Sequence, residues 1–304
     1  MRRLILILIS MVIQVSLCLA QSNALDPSTQ SILQSITSAV ATLSGDDSIA
    51  AGTYQFKNDT SPDVDLDMYK YVGEFSLGDS DAQFVPLLEL APAYLKFEQV
   101  EPDNSMKSEI ESWAIGVGTG VRMQFLDSKL IVTPRLKIEY ADVDFDFSSN
   151  TFDVSEVNSE IPRFDVWSFL PSTEVKYQDV VTQGGASLAF KTKLTFVYNE
   201  SKASRDSVAD SYSRSWIWRN TLLWEQPVTI GSDDSVRLRP NIARVDIRGA
   251  ARDGFEFNNF YEIGADLVSK KIAPEVFNEF GVGITYVYES EFQGWVLGIL
   301  AKLA

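Results

Sequence analysis

The chain has 304 residues, of which 45% are apolar and 12% aromatic, so its composition predicts a folded protein rather than a disordered one. It contains no histidine and one cysteine, which excludes Ser-His-Asp triads, Cys-His pairs and zinc sites that need imidazole ligands. Its formal net charge of −16 argues against a surface that binds the phosphates of DNA or RNA, so no nucleic-acid partner is expected.

Residues 1–24 have the order of parts found in a secretory signal peptide. A short basic start is followed by an apolar run, and small residues close the segment at Ala20 or Ala24. A transmembrane anchor is the alternative, but polar residues interrupt the run, which falls short of ~20 apolar residues. The sequence therefore predicts an exported protein, cleaved after Ala20 or Ala24, whose mature chain has lost Cys18 and forms no disulfide.

Residues 25–48 are predicted to form a short helix and a linker. Asp26 suits an N-cap and Pro27 the first helical position, while Gly45 ends the element. Apolar residues recur at helical spacing and define the candidate plug-helix positions Ile32, Leu33, Ile36, Val40 and Leu43. Two interpretations stay open: the helix packs on a soluble domain, or it lies in or below a pore.

From residue 49 onward the apolar period changes to two, which is typical of strands with one apolar face. The pattern predicts twelve strands near 49–57, 67–78, 83–98, 112–126, 129–147, 164–179, 185–199, 212–226, 235–248, 256–269, 275–288 and 293–303. Most segments run to about a dozen residues, longer than the strands of a soluble sandwich and long enough for a tilted membrane crossing. Aromatic residues such as Trp167, Trp216 and Trp295 gather toward segment ends, as interfacial girdles do.

The connections between these segments alternate in length, although less clearly toward the C-terminus. Long connectors such as 99–111 and 148–163 are each followed by a tight turn, as at 127–128. This is the meander of an outer-membrane barrel with one rim outside and one in the periplasm. The predicted fold is all-β: a 12-stranded antiparallel transmembrane β-barrel over 49–304, with the short N-terminal helix in or below its lumen.

The segment Ser112–Phe147 (SWAIGVGTGVRMQFLDSKLIVTPRLKIEYADVDFDF) pairs a glycine-rich strand with a tight turn and a basic strand. With the signal peptide, the helix and the twelve strands, it resembles the translocator barrel of Gram-negative autotransporters. Only about 25 residues separate the signal from the first strand, so the resemblance is to solitary autotransporter-like barrels that carry no passenger. The last strand departs from the usual pattern, because Leu303 replaces a terminal aromatic residue.

If apolar positions face lipid, the charged positions between them line the lumen. The candidate lumen residues are Arg122, Arg135, Lys137, Glu139, Lys191, Lys193, Arg219, Glu225, Glu256, Glu262, Asp266 and Glu279. One interpretation is a mutually neutralised network that fills a narrow barrel. The other is a field across the pore that orients charged solutes, and the mixed signs then predict weak ion selectivity.

Aspartates alternate at 63–67 and 142–146, where carboxylates at the outer rim could share Ca²⁺ with lipopolysaccharide. Solvated loop acids are the simpler interpretation, since the spacing and glycine of a calcium loop are missing. The sequence shows no nucleotide loop, metal cluster or redox motif, so no cofactor, no metal and no enzymatic activity are expected.

The predicted function is an outer-membrane pore or translocator-like barrel for small solutes or peptide. The alternative is a closed structural or surface-interaction barrel whose acidic loops bind a partner, and a soluble β-sandwich is a third possibility. The expected surroundings are outer-membrane lipid, lipopolysaccharide and the barrel-assembly machinery, with the barrel as a monomer.

Overall fold

The structure is a computed structural model that describes residues 39–40, 42–43, 52–56, 64–79, 82–100, 106–150, 163–180, 185–204, 211–230, 233–255, 257–269, 277–290 and 292–303. Its strands are β1 (Gly52–Phe56), β2 (Val64–Lys70), β3 (Gly73–Ser76), β4 (Phe84–Val100), β5 (Met106–Phe125), β6 (Leu130–Ser149), β7 (Phe164–Val180), β8 (Ser187–Ala203), β9 (Ser211–Ile230), β10 (Asp233–Gly249), β11 (Asn259–Ser269), β12 (Phe277–Tyr288) and β13 (Phe292–Leu303). Helix α1 (Ala250–Phe255) follows β10. Residues 39, 40, 42 and 43 are also helical and form the N-terminal helical segment. The predicted signal peptide lies outside the described residues.

The strands form one closed antiparallel sheet. From β4 to β13 each strand pairs with the next along the chain. β2 and β3 both pair with β4 and are successive parts of one wall strand, interrupted at Tyr71 and Val72. β1 pairs with β2 on one side and with β13 on the other, which closes the ring. The fold is the twelve-strand antiparallel barrel predicted from the alternation, and that prediction is confirmed.

The barrel has two rims, and the strands reach farther toward one of them than the sequence predicted. The loop rim carries connections 57–63, 101–105, 150–163, 204–210, 250–258 and 289–291. The turn rim carries connections 77–83, 126–129, 181–186, 231–232 and 270–276. The predicted connector 99–111 is mostly strand, because β4 continues to Val100 and β5 begins at Met106.

The sequence pattern predicts loop at these strand ends because the apolar and the charged face of each strand change places near the loop rim. In β6 the outward residues Ile138 and Tyr140 are followed by outward Asp142, Asp144 and Asp146. On its inner face the order is reversed, since charged residues (Arg135, Lys137, Glu139) are followed by apolar ones (Ala141, Val143, Phe145, Phe147). The expectation that apolar positions face lipid thus holds toward the turn rim and is wrong toward the loop rim, where apolar side chains fill the inside.

A belt of paired aromatic rings marks the level of this inversion on the outer face. Cross-strand neighbours pack with ring centroids 4.4 Å apart in Tyr94–Trp113, 5.2 Å in Tyr140–Trp167, 4.6 Å in Phe196–Trp216 and 4.8 Å in Tyr286–Trp295. Such belts lie at the boundary between the hydrocarbon of a membrane and water. The strand parts between this belt and the loop rim, here called the collar, therefore extend beyond the apolar band.

The outer face of the collar is charged and largely ion-paired. Lys96 lies 3.0 Å from Glu109, and Lys107 lies 2.8 Å from the same carboxylate and 3.0 Å from Glu98. Arg163 hydrogen-bonds Asp144, which raises the pKa of the guanidinium. The Asp142–Asp146 row thus includes a carboxylate held by an arginine.

Among the described residues, no helix is both long and apolar enough to span a membrane.

Candidate functional site in the barrel lumen

Charged side chains line the inner face of the barrel on the turn-rim side of the belt. Eleven of the predicted lumen residues fall within the described ranges, and all lie on the inner face: Arg122, Arg135, Lys137, Glu139, Lys191, Lys193, Arg219, Glu225, Glu262, Asp266 and Glu279. Glu256 lies outside the described residues. The period-two pattern brings these residues to one compartment, because alternate residues of a strand point to the same face.

The first ion-pair network joins β3, β4, β5 and β6. Glu74 accepts hydrogen bonds from Arg122 and, at 2.6 Å, from Arg135. Lys137 Nζ lies 2.9 Å from Glu89 Oε1, and the two side chains are only 8% and 9% exposed. Both partners of each pair have left water, so each charge depends on the other for compensation.

The second network joins β9, β10, β11 and β12. Arg219 lies 2.6 Å from Glu262, whose side chain is 2% exposed. Glu225 pairs with Arg237 at 3.0 Å and with Arg239, and Arg239 also holds Glu279 through two hydrogen bonds of 3.0 and 3.2 Å. Ion pairs therefore join both signs of charge within this half of the wall.

Five charged residues of these networks were not among the predicted lumen set: Glu74, Glu89, Glu174, Arg237 and Arg239. Arg237 and Arg239 alternate with Leu238 and Pro240, so the same period-two signal could have identified them. Glu89 carries no such signal, because β4 has apolar side chains on both faces around it.

A cavity of about 1080 Å³ lies beside these networks. Its inner lining includes the ion pair Lys191–Glu174, at 3.3 Å, together with Lys176 and Asp266. Neither Lys176 nor Asp266 makes a hydrogen bond or ion pair with the residues that the structure describes. The cavity therefore offers to a solute one ammonium and one carboxylate that no direct contact with a described residue occupies.

The same cavity reaches the wall between β2 and β13. Tyr69, Tyr71 and Leu297, which are exposed on the outer face, contribute to its lining. β1 pairs with β13 only along Phe292–Trp295, so in the described part of the chain the ladder between them stops just before Val296.

An apolar layer closes the inside of the collar, between the charged compartment and the loop rim. It is built by inward residues of the wall, among them Phe145, Phe164, Ile217 and Ile247. Ala39, Val40 and Leu43 of the N-terminal helical segment belong to the same cluster and are 4%, 1% and 3% exposed.

The end of the helical segment is tied to the wall by a lumen lysine. Lys70 Nζ donates a 3.0 Å hydrogen bond to the carbonyl oxygen of Leu43. Of the candidate plug-helix residues, Val40 and Leu43 are thus buried inside the barrel, whereas Ile32, Leu33 and Ile36 lie outside the described residues.

The described part of the chain contains no group of three or more His, Cys, Asp or Glu residues that could hold a metal ion. The lumen charges are arranged as ion pairs rather than as a nucleophile with a base. That the chain is no enzyme and takes no metal or cofactor stays a prediction.

Comparison with known proteins supplies an independent view of this barrel. Residues 75–300 match the family described as solitary outer membrane autotransporter beta-barrel domain. No curated protein sequence matches the chain at a significant level.

The barrel is similar in structure to solved autotransporter domains at 9–10% sequence identity. The translocator domain of autotransporter NalP from Neisseria meningitidis superposes with a TM-score of 0.55 over 82% of this chain and 83% of that one, at 10% identity. The transport unit of AIDA-I from Escherichia coli gives 0.54 over 88% and 97%, at 9% identity. The beta domain of the Bordetella autotransporter BrkA gives 0.55 over 82% and 94%, also at 9% identity. Likeness at these identities is a likeness of fold.

Proposed function

Because the chain belongs to the family of solitary outer membrane autotransporter beta-barrel domains, we propose that it is a pore for small polar solutes or peptide. It is a barrel of the autotransporter translocator type and resides in the outer membrane. The pore is closed by its own N-terminal helical segment. Displacement of that segment opens a path from the charged compartment to the loop rim.

The observation that carries the proposal is the cavity of about 1080 Å³ on the turn-rim side of the apolar layer. Its lining includes several charged side chains, among them Lys176, Lys191 and Asp266, as the lining of a water-filled barrel does. A space of this size exceeds what a small ligand pocket needs, and Lys176 and Asp266 leave it one unpaired charge of each sign. These features support passage of polar or zwitterionic solutes with weak ion selectivity.

The helical segment is the part of the closure that can leave without unfolding the wall. Ala39, Val40 and Leu43 contribute buried apolar side chains to the layer, while most of its other members belong to paired strands. Lys70 is the described hydrogen-bond donor to the carbonyl of Leu43. Loss of the segment therefore removes apolar volume from the layer and leaves the ladders intact.

Single-channel conductance in a planar bilayer tests this proposal. The refolded barrel is compared with a version lacking residues 25–45 and with the variants Val40→Asp and Leu43→Asp. A buried carboxylate without a partner is costly, so each substitution is expected to expel the segment and raise the open probability toward that of the deletion. Leu77→Asp is the matched control, because Leu77 is exposed at the turn rim and its substitution leaves the barrel closed.

The alternative function, a closed structural or surface-interaction barrel, is favoured by one observation: most lumen charges are satisfied by ion pairs that reach past the adjacent strand of the wall. The same recordings separate the two functions. If the deletion and both aspartate variants are folded but silent, the charged lumen is packed core and the pore proposal fails. Folding is checked by heat-modifiable migration in gels, so a silent unfolded sample is not mistaken for a closed barrel.

A further inference from the structure

A second cavity, of about 620 Å³, lies on the outer face of the barrel at the level of the aromatic belt. We call it the belt groove; it spans β8, β9 and β10 and is lined by Leu194, Trp216, Trp218, Asn220, Arg244, Asp246 and Arg248. The two indole rings are 47% and 51% exposed. A groove that combines exposed tryptophans and arginines at a membrane boundary presents an apolar face and a cationic face to the same ligand.

The arginines of this region differ in how their charge is compensated. Arg244 holds Asp246 of its own strand through hydrogen bonds of 2.7 and 3.1 Å and lies 5.8 Å from the centre of the Tyr261 ring. Arg248 and its neighbour Arg214 are exposed, and neither makes an ion pair or side-chain hydrogen bond with residues in the described ranges. Arg248 lies level with Trp216, and Arg214 lies on the loop-rim side of both tryptophans.

The register of β9 and β10 places the two free arginines side by side. Arg248 is opposite Trp216, and Arg214 lies two residues farther along β9 on the same face, a diagonal spacing that long side chains bridge. Gly249 ends the ladder with φ of +83°, and a Cβ there would lie 2.2 Å from the carbonyl oxygen of Arg214. Only glycine permits this close approach, so the pairing next to Arg248 is fixed by the backbone.

The two arginines are unusual in a chain of net charge −16. Elsewhere in the collar, Lys96, Lys107 and Arg163 each contact carboxylates. The one carboxylate of the groove, Asp246, is bound by Arg244, so the guanidiniums of Arg248 and Arg214 are open to a phosphate, which accepts paired hydrogen bonds from arginine forks. The groove therefore complements an amphiphilic anion at the outer boundary of the membrane.

We propose that the belt groove binds a phosphorylated glycolipid of the outer leaflet. Arg248 and Arg214 hold the phosphate, and Trp216 and Trp218 pack against the apolar face of the sugar. The acyl chains lie on the apolar wall on the turn-rim side of the groove, along Leu194 and Leu222, which are both exposed on the outer face. The loop rim faces outward in this arrangement, as the longer connections of outer-membrane barrels do.

Native mass spectrometry of the refolded barrel in detergent micelles tests the site. The probes are bisphosphorylated lipid A, the same lipid with its phosphates removed, and phosphatidylglycerol. The variant Arg214→Ala/Arg248→Ala is compared with Arg163→Ala/Lys107→Ala, which removes the same charge from another part of the collar. Since each lost charge-assisted contact weakens binding severalfold, lipid A is expected to bind the first variant at least about tenfold more weakly and the control variant as it binds the parent.

The remaining arms decide which part of the ligand is recognised. Dephosphorylated lipid A is expected to bind about tenfold more weakly than lipid A to the parent, and to the same extent with or without the two arginines. Equal loss of lipid A in the control variant would mean that net charge alone attracts the lipid, which overturns the site. Equal binding of phosphatidylglycerol and lipid A overturns the assignment to a glycolipid, and indifference to the phosphates overturns the proposal as a whole.

Discussion

At the scale of single residues, the lumen contains buried ion pairs in which each charge requires its partner. Lys137 and Glu89 lie 2.9 Å apart with their side chains almost fully buried, in a strand region where the outer face is in contact with lipid. Their attraction offsets the cost of removing both from water only while both are present. The intact pair therefore adds little to the free energy of unfolding, whereas removing one partner lowers that free energy strongly.

We predict that Lys137→Met lowers the free energy of unfolding by about 3 kcal/mol, because it leaves the buried Glu89 carboxylate with only the more distant Arg135, at 4.0 Å, as a cation. The double variant Lys137→Met/Glu89→Met is expected to recover most of this loss, since neither member of the pair is then left as a buried charge without its partner. Urea unfolding followed by tryptophan fluorescence measures both changes. Lys129→Met is the control at an exposed pair, Lys129–Asp179, and leaves the unfolding midpoint nearly unchanged. A single variant as stable as the parent would show that water reaches the pair.

At the scale of strands, closure of the ring depends on the shortest wall strand. β1 has five residues and is hydrogen-bonded on both sides, to β2 and to β13. Its inward Tyr54 is only 1% exposed and packs in the apolar layer. β1 thus belongs both to the seam that closes the ring, where it pairs with β13, and to the apolar layer inside the collar.

The register of that seam is testable with an engineered disulfide. Thr53 and Trp295 are directly opposite, and antiparallel partners have Cα atoms about 4.5–5.5 Å apart, within the range for a disulfide. We expect Thr53→Cys/Trp295→Cys to cross-link on mild oxidation of the barrel freed of residues 1–24. Thr53→Cys/Leu297→Cys is the matched control and is expected to stay reduced, because its diagonal spacing is about 7–8 Å. Non-reducing gels distinguish the two, and cross-linking of the control instead would shift the seam by two residues.

At the scale of the whole molecule, the same strands build two zones of the barrel with opposite distributions of apolar and charged residues. On the turn-rim side of the belt it is a membrane barrel with an apolar outside and a charged inside. In the collar it resembles a soluble barrel, with charges outside and an apolar layer inside that includes the N-terminal helical segment. The change of solvent around one continuous strand explains the inversion, since each face carries residues suited to its own surroundings.

Cysteine labelling along the outer face of β6 tests where the membrane ends. In liposomes holding the refolded barrel without residues 1–24, Asp146→Cys is expected to react with a membrane-impermeant maleimide. Ile138→Cys, exposed on the same face below the belt, is expected to be protected until detergent is added. Protection at both positions would place the collar within the bilayer and remove the reason for its inverted faces.

Much of this architecture follows from the sequence, because a strand in a membrane barrel repeats every two residues and a membrane fixes its minimum length. That physics is local, so the strand order, the closed antiparallel fold and the inward position of residues such as Arg135 and Glu262 could be predicted without coordinates. The family resemblance was visible for the same reason, since it rests on a pattern rather than on a motif.

The tertiary structure decided what local pattern cannot express. Which charges pair is set by the register of strands far apart in sequence, as for Glu74 with Arg135. Glu89 lies in a strand that is apolar on both faces, so its place in the lumen network is visible only from its ion pair with Lys137. The collar could not be predicted for a related reason. Its residues alternate every two positions, as in the rest of the wall, but its apolar residues face inward. Only the position of the aromatic belt shows whether an outer face meets lipid or water. The belt groove joins residues of three strands. The strand register beside Gly249 places Arg214 and Arg248 on the same face of the wall.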